Sequence, residues 1–137
     1  MTIGVKTSIR NAWVQTVADA IDAGATGGKI QFYDGARPAT GAAITSQTLL
    51  GTVVLSDPCG TVVNGVLTLA GMPREDPNAA AVGPATWARI TDSNDGFVCD
   101  ASVTGNGGGG DIQLNSTTFT VGGIIRITSG TLTAGNA

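Results

Sequence analysis

Apolar residues near the start of the chain repeat at the spacing of an α-helix. Within TSIRNAWVQTVADAIDAG, the repeating residues are Ile9, Trp13, Val17 and Ile21, with Val14 and Ala20 widening the stripe. Thr7 or Ser8 is suited to cap the start, and Gly24 the end. The pattern predicts one helix over about residues 7–23. Trp13 is its expected main contact, with the chain's own sheet favoured over a partner.

After Gly28 the hydrophobic period changes to two, which is typical of β-strands. KIQFYDG predicts a strand that ends in a turn, and ITSQTLLGTVVLSDP predicts one long strand or two with a bulge at Gly51. The clearest hairpin is ATWARITDSNDGFVCDASVT, in which Gly96 is expected to take a positive φ. Four further segments predict strands: NGVLTLAGM, DIQLNS, TTFTV and IIRITSGTLT.

Seven or eight short strands, separated by frequent turn signals and without βαβ alternation, predict the fold class. We expect a mainly β protein, an antiparallel β-sandwich of jelly-roll-like form with one N-terminal helix. The strands run from about residue 29 to 133, in a single domain of residues 1–137. PREDPNAAAVGP, with its three prolines, is expected to be a loop from Pro73 to Pro84.

The low charge of the chain points to burial against partners. Charged residues make up 12% of the sequence, about half the usual share. The net charge is −3 and the basic residues are scattered, so no nucleic-acid partner is expected. No apolar stretch is long enough to cross a membrane, and MTIGVKTSIRNAW lacks a signal-peptide core. The chain is therefore expected to stay in the cytosol until it assembles.

The residue types offer no catalytic constellation, so a non-enzymatic protein without a cofactor or a metal is expected. There is no histidine for a triad or an imidazole ligand. Cys99 alternates with Phe97 and Ala101 on an expected core face, whereas Cys59 lies in a turn where exposure is possible. Two reduced, buried thiols are expected rather than a disulfide.

Two loops resemble ligand sites only superficially. SVTGNGGGGDIQLNS contains G-x-G-x-x-G spacing, but a strand rather than a helix follows, and no lysine follows either. This predicts a turn and not a phosphate loop. DSNDG has oxygen ligands but lacks the glycine and glutamate positions of a calcium loop, so a hairpin turn is favoured. Glu75 and Asp76 are adjacent in the proline-rich loop, which favours solvated charges over a catalytic pair.

Five segments in order carry a resemblance to a known family: RNAWVQTVADAIDAG, GKIQFYDGARPAT, TLLGTVVLSDP, GPATWARITDSNDGFVCDASV and DIQLNSTTFTVGGIIRITSGTLT. Together they resemble small virion proteins of tailed bacteriophages, of the capsid decoration or cement type. The resemblance implies a β-sandwich made in the host cytoplasm and located in the virion. It also implies binding of the major capsid protein on the outer shell, as a homo-oligomer, a dimer or a trimer. Two alternatives stay open: a tail or head–tail junction component, and a host-surface carbohydrate-binding module.

Contact residues are expected in three places. One is the N-terminal arm, represented by Thr2, Val5 and Lys6, which precedes the helix. Another is the irregular loop after Pro73, which contributes Arg74, Glu75 and Asp76. Arg37 is the third. Arg37 and Arg89 are expected to form ion pairs, either across subunits or with an aspartate of their own chain.

Overall fold

The computed structural model describes residues 3–134 as one helix and a set of short strands around a common apolar core. Thr2 lies outside the described residues. The elements are α1 (Thr7–Ile21), β1 (Lys29–Tyr33), β2 (Leu49–Val54), β3 (Gly60–Val63), β4 (Val66–Leu69), β5 (Arg74–Asp76), β6 (Gly83–Pro84), β7 (Trp87–Thr91), β8 (Phe97–Gly105), β9 (Ile112–Leu114), β10 (Thr118–Phe119) and β11 (Ile125–Thr133). The protein is therefore mainly β with one N-terminal helix, as the sequence predicts.

Helix α1 starts at Thr7, as predicted, but its capping residues and its end differ from the prediction. Its N-cap is Lys6, which makes no side-chain capping bond, so neither Thr7 nor Ser8 caps it. The helix ends at Ile21, with Asp22 as C-cap, two residues before the predicted end. Gly24 follows with a φ of 103°, which turns the chain towards the sheet.

The packed stripe of the helix matches the predicted one only in part, because Val14, Val17 and Ile21 contact the core but Ile9 and Trp13 do not. Its buried residues are Val14, Ala18 and Ile21, whereas Ile9 and Trp13 are 46% and 47% exposed. The predicted contact of Trp13 with the sheet as the main packing residue is therefore wrong. The buried positions are spaced i, i+4 and i+7, and they form a face rotated away from Ile9 and Trp13.

Two hydrogen bonds fix the start of the helix on the β3–β4 hairpin and the end of β11. The Gly65 amide donates to Asn11 Oδ1 at 2.6 Å, and Arg10 Nη2 donates to the Ala134 carbonyl at 3.1 Å. The hairpin turn itself, Asn64–Gly65, has φ values of 52° and 75°. Both central residues of a type I′ turn need a positive φ, which the Asn-Gly pair supplies.

The main sheet is mixed rather than purely antiparallel. Its strand order is β2-β1-β7-β8-β9-β11-β4-β3, with β5 paired to β11 beside this path. All these pairs are antiparallel except β8 with β9, in which Val103 lies opposite Ile112 in parallel register. The glycine run between them explains the return of the chain. Side chains at Gly108 and Gly110 would come within 3 Å of Thr104.

The sheet curls until β5 lies against β2. Asp76 Oδ2 accepts the Thr52 amide at 3.1 Å, and Arg74 Nε donates to the Val54 carbonyl at 2.7 Å. A Cβ on Gly51 would overlap the end of the Ile125 side chain, so β2 and β11 approach closely inside the curl. The register of β1 and β2 shifts beside Gly51, which confirms an irregularity at the predicted position.

The predicted β7–β8 hairpin is confirmed, but its turn differs in one detail. The positive φ falls on Asp95, at 65°, and not on Gly96. The predicted loop from Pro73 to Pro84 is also only partly a loop. It contains β5 and β6, and β6 pairs with β10 as a separate two-stranded sheet. Long-range pairing with β11 and β10, which local sequence does not encode, produces these short strands.

Candidate functional site

The predicted contact residues Arg74, Glu75 and Asp76 line a surface pocket at the joint between β5 and β2. The pocket has a volume of about 440 Å³, and its remaining walls are Thr52, Val54, Gly71, Pro73 and Pro77. The structure thus brings these three residues together on one strand, as their adjacency in the sequence requires.

The polar groups of the pocket are engaged inside the chain. Asp76 accepts the amides of Thr52 and Asn78, and Arg74 donates to Val54. Glu75 pairs with Arg126, whose Nε lies 2.6 Å from Glu75 Oε1. The bonds of Asp76 and Arg74 cover the outer edge of β2, so the main role of this segment is to close the sheet. The half-exposed Glu75–Arg126 pair is the part that solvent reaches.

The other predicted contact residues lie in different parts of the fold. Val5 is half-buried, and the carbonyl of Lys6 accepts the Ile9 and Arg10 amides at 2.9 and 3.1 Å. Lys6 is therefore the N-cap of α1, and Val5 directly precedes it. Arg37 is exposed in the long connection between β1 and β2. The six predicted contacts that lie within residues 3–134 consequently do not assemble into one site.

The ion pair of Arg89 forms within its own chain. Arg89 Nε and Nη2 donate to Asp100 at 2.8 and 3.1 Å, and Nη1 donates to the Ala42 carbonyl at 2.9 Å. The guanidinium also lies over the rings of Trp87 and Phe97, 5.4 and 5.1 Å from their centroids. This resolves the alternative left open by the sequence: Arg89 is a structural residue and is not available to a partner.

The contacts within the Arg89–Asp100 ion pair keep the Asp100 carboxyl ionised. Burial of the Asp100 carboxyl opposes its ionisation, but hydrogen bonds from Arg89 and the Gly41 amide outweigh burial and lower the pKa of Asp100. The pair therefore stays ionised at neutral pH. It ties the connection of residues 34–48 to the outer face of β7 and β8 through Gly41 and Ala42.

An exposed apolar pair lies on the helix, where the sequence favoured contact with the chain's own sheet over contact with a partner. Ile9 and Trp13 stand one turn apart, each almost half exposed, and we call them the helix patch. Other large apolar side chains are exposed on loops and strands: Ile3, Leu49, Val54, Val63, Val82, Phe97, Val121 and Ile124. In contrast, Tyr33 and Trp87 stack at 4.8 Å and are buried.

The two cysteines are free thiols without the environment of a nucleophile. Cys59 is fully buried, so the exposure considered for its turn is wrong. Burial, followed by the charge of Asp22, raises the pKa of Cys59 to about 12. Burial, followed by the charge of Asp100, raises the pKa of Cys99 to about 11. Cys99 is half-buried, beside an exposed Phe97, so its expected core face is only partly buried.

We expect both thiols to resist modification in the folded protein. At pH 8 a thiol with a pKa of 12 is ionised in about one molecule in ten thousand, and only the thiolate reacts. Ellman's reagent should therefore react slowly with the native protein, and with both thiols at once after unfolding in guanidinium chloride. Rapid labelling of either thiol in the native protein would contradict the raised pKa values.

The two loops with superficial ligand patterns are held by their own bonds. In the glycine-rich loop the Gly110 amide donates to Thr104 Oγ1 at 3.0 Å, and the Gly107 amide to Gln113 Oε1 at 3.1 Å. In the hairpin turn, Asp92 Oδ1 accepts two backbone amides at 2.8 Å, from Asn94 and Gly96. The carboxylate therefore serves the turn.

Comparison with protein-family models, with curated protein sequences and with solved structures found no match to this chain. Within residues 3–134, no helix has the length and apolar character needed to cross a membrane.

Proposed function

We propose that this chain is a non-enzymatic structural protein of a bacteriophage virion, a decoration or cement protein that binds the major capsid protein. The observation that carries this proposal is the helix patch. Ile9 and Trp13 remain almost half exposed in a chain with few charges. Burying a large apolar side chain contributes about 1.5–3 kcal/mol, and tryptophan is enriched among the residues that dominate interfaces.

The mechanism is linkage between binding and shell stability. A protein that binds only the expanded shell stabilises it by mass action, and many copies on one closed lattice make modest contacts sufficient. A surface with few charges has little ionic solvation to lose on burial. The proposal includes a jelly-roll-like sandwich arrangement of the curled sheet, assembly as a dimer or trimer, synthesis in the host cytoplasm and residence on the outer capsid.

The two alternatives differ in what they require of the particle and of the aromatic residues. A tail or head–tail junction component would be present in roughly a dozen copies, whereas a decoration protein occupies every equivalent lattice position. A carbohydrate-binding module needs exposed rings on which a sugar can stack. Tyr33 and Trp87 are buried, and Arg89 covers one face of the exposed Phe97 ring. Trp13 is then the one aromatic ring within residues 3–134 with an open face, and a single ring makes a poor sugar platform.

Co-sedimentation with phage heads tests the proposal. Purified protein is mixed with expanded heads that lack it and, separately, with unexpanded heads. We expect binding to the expanded heads alone, at a copy number in the hundreds. On heating, heads without the protein should break open at a lower temperature than heads that carry it. Absence of binding would contradict the proposal, and so would a deletion that abolishes shell assembly.

Substitution of Trp13 localises the contact. Trp13→Ala should weaken head binding about tenfold or more, because a buried tryptophan commonly contributes 2 kcal/mol or more. Val82→Ala is the matched control, since Val82 is 66% exposed on a different segment. Far-UV circular dichroism checks that both variants fold. Equal losses in both variants would exclude the helix patch as the contact.

A further inference from the structure

The main sheet has two terminal strands, and residues 3–134 cover the outer edge of only one of them. On β2, the outward Thr52 amide and Val54 carbonyl bind the side chains of Asp76 and Arg74. At the opposite end, β3 pairs with β4 on one side, and no strand within residues 3–134 pairs with its other side. Natural proteins usually block such an edge with charge, proline or a bulge. The β3 sequence, GTVV, has none of these.

The backbone groups that face this free edge follow from the hairpin register. The Ala70 amide donates to the Cys59 carbonyl at 2.8 Å. In an antiparallel pair every second residue bonds to the neighbouring strand, so Cys59, Thr61 and Val63 are the residues that bond to β4. The backbone N–H and C=O groups of Gly60 and of Val62 therefore point away from β4. Among residues 3–134 no hydrogen bond satisfies them.

The outer face beside this edge carries no charge. Strands β11, β4 and β3 align there in two rows, and we call the six residues the Thr/Val face: Thr131, Thr68 and Thr61 in one row, Thr133, Val66 and Val63 in the other. Five of the six are exposed, and the four threonine hydroxyls make no hydrogen bond within residues 3–134. β-branched side chains are stiff, so ordering them at an interface costs little entropy.

We propose that a second copy of this chain binds at the free edge of β3, by antiparallel pairing of the two β3 strands about a two-fold axis at Thr61. Gly60 then exchanges hydrogen bonds with the partner's Val62, and Val62 with the partner's Gly60. This is the register in which every outward group of Gly60 and Val62 is satisfied. Thr61 faces the partner's Thr61 as a non-hydrogen-bonded pair, with Cα atoms about 4.5 Å apart.

The residues at the free edge of β3 favour a second copy of this chain as the binding partner. A face without charge meets its own copy without like-charge repulsion, and a threonine hydroxyl both donates and accepts. Threonine pairs directly opposite each other stabilise antiparallel strands. Pairing also joins the two Thr/Val faces into one uncharged surface across three strands from each copy. The inference rests only on the homo-oligomer part of the proposed function and does not depend on a capsid.

Sedimentation equilibrium tests the pairing through one substitution. The wild type should show a monomer–dimer equilibrium between 13.6 kDa and twice that mass, across micromolar to millimolar concentrations. Thr61→Asp places two like charges in direct opposition and should weaken the dimer about tenfold or more. Thr131→Asp is the matched control, because it adds the same charge to the same face two strands from the axis. It should leave the dimer nearly unchanged.

Cysteine cross-linking tests the register independently. In Thr61→Cys, oxidised glutathione should convert two opposing thiols to a disulfide, taking up their two electrons and two protons, and the dimer should persist on a non-reducing gel. Thr131→Cys should remain monomeric on that gel, because its copies lie about five strand spacings, or ~24 Å, apart.

Three results would overturn the inference: a monomer at every concentration, a trimer, or a dimer equally weakened by both aspartate variants. The last would indicate packing through the Thr/Val face instead of the edge. Failure of the proposed function leaves a different signature, namely an intact dimer that does not bind expanded heads.

Discussion

Replacing Asp100 by asparagine is expected to lower the free energy of unfolding by about 3–5 kcal/mol, because it leaves the Arg89 guanidinium buried without its counter-charge. The two side chains are 10% and 2% exposed, so water cannot replace the lost carboxylate. Asparagine preserves the shape of the side chain, and the loss therefore reports charge more than volume.

The expected loss is large because the pair joins three parts of the molecule. Arg89 lies on β7 and Asp100 on β8, and both bind the connection of residues 34–48, through Ala42 and Gly41. Releasing that connection also exposes the stacked rings of Tyr33 and Trp87 beneath it. Guanidinium chloride denaturation followed by tryptophan fluorescence measures the change as a shift of the midpoint.

Glu75→Gln is the control for the Asp100 variant. The pair of Glu75 with Arg126 has similar chemistry, but its side chains are 37% and 43% exposed. Exposed pairs contribute about 0–1 kcal/mol, so this variant should stay close to the wild type. Similar losses from both substitutions would show that the Arg89–Asp100 pair is not isolated from solvent.

The contribution of Asp100 should also depend on pH, with a defined sign. The folded-state pKa of Asp100 is lowered, so its stabilising effect is complete above the unfolded-state pKa of about 3.9 and disappears as the pH falls through the folded-state pKa. The difference between wild type and Asp100→Asn should therefore be constant from pH 5 to 8 and shrink below about pH 4. Denaturation midpoints measured in that series check the sign.

The local patterns in the sequence predict the elements well and their partners poorly. Period-two alternation locates β1, β7 and β8, because side-chain facing is a local property. The pattern does not predict strand β3, since Gly60–Val63 falls in the short turn expected before NGVLTLAGM, and the turn lies instead at Asn64–Gly65. The partner of Arg89 depends on the β7–β8 register, in which Arg89 lies opposite Asp100. The register shifts at a bulge between Ile90 and Thr91, and the pattern of residues along the two strands does not indicate where that bulge lies.

The helix patch, where the sequence favours packing on the chain's own sheet, shows a second limit. Trp13 and Ile9 satisfy helical periodicity as well as Val14 and Ala18 do, and side-chain size favours Trp13 as the buried residue. The docking of Asn11 and Arg10 on the hairpin and β11 decides which face turns inward. The one available signal was the i, i+4, i+7 series of Val14, Ala18 and Ile21, which is a closer fit to a core-facing stripe.

The strands of the proline-rich segment were missed for a related reason. β5 and β6 are three and two residues long, and each exists because a distant strand offers it hydrogen bonds. The prolines at both ends of residues 73–84 predict a loop when only the local sequence is considered. The residues predicted as partner contacts, Arg74, Glu75 and Asp76, form β5, and the role of Arg74 and Asp76 in closing the curled sheet against β2 depends on tertiary structure.

Phe32→Ala is expected to destabilise the protein by about 3–5 kcal/mol, through lost burial and the cavity that remains. Phe32 is fully buried on β1, and its ring meets the Phe119 ring edge-to-face with centroids 5.9 Å apart. Phe119 belongs to β10, so this contact fastens the small β6–β10 sheet to the main one. Thermal unfolding and guanidinium chloride denaturation should both show the loss.

A double-mutant cycle separates the ring contact from simple burial. Phe32→Ala, Phe119→Ala and the double variant should reveal a coupling of about 0.5–1.5 kcal/mol for the edge-to-face pair. Phe97→Ala is the matched control, because Phe97 is 44% exposed and should cost clearly less than Phe32→Ala. Additive losses at Phe32 and Phe119 would show that the small sheet is fixed by its backbone bonds and not by this contact. In that case the loop of residues 120–124, with its exposed Val121 and Ile124, would be held independently of the core.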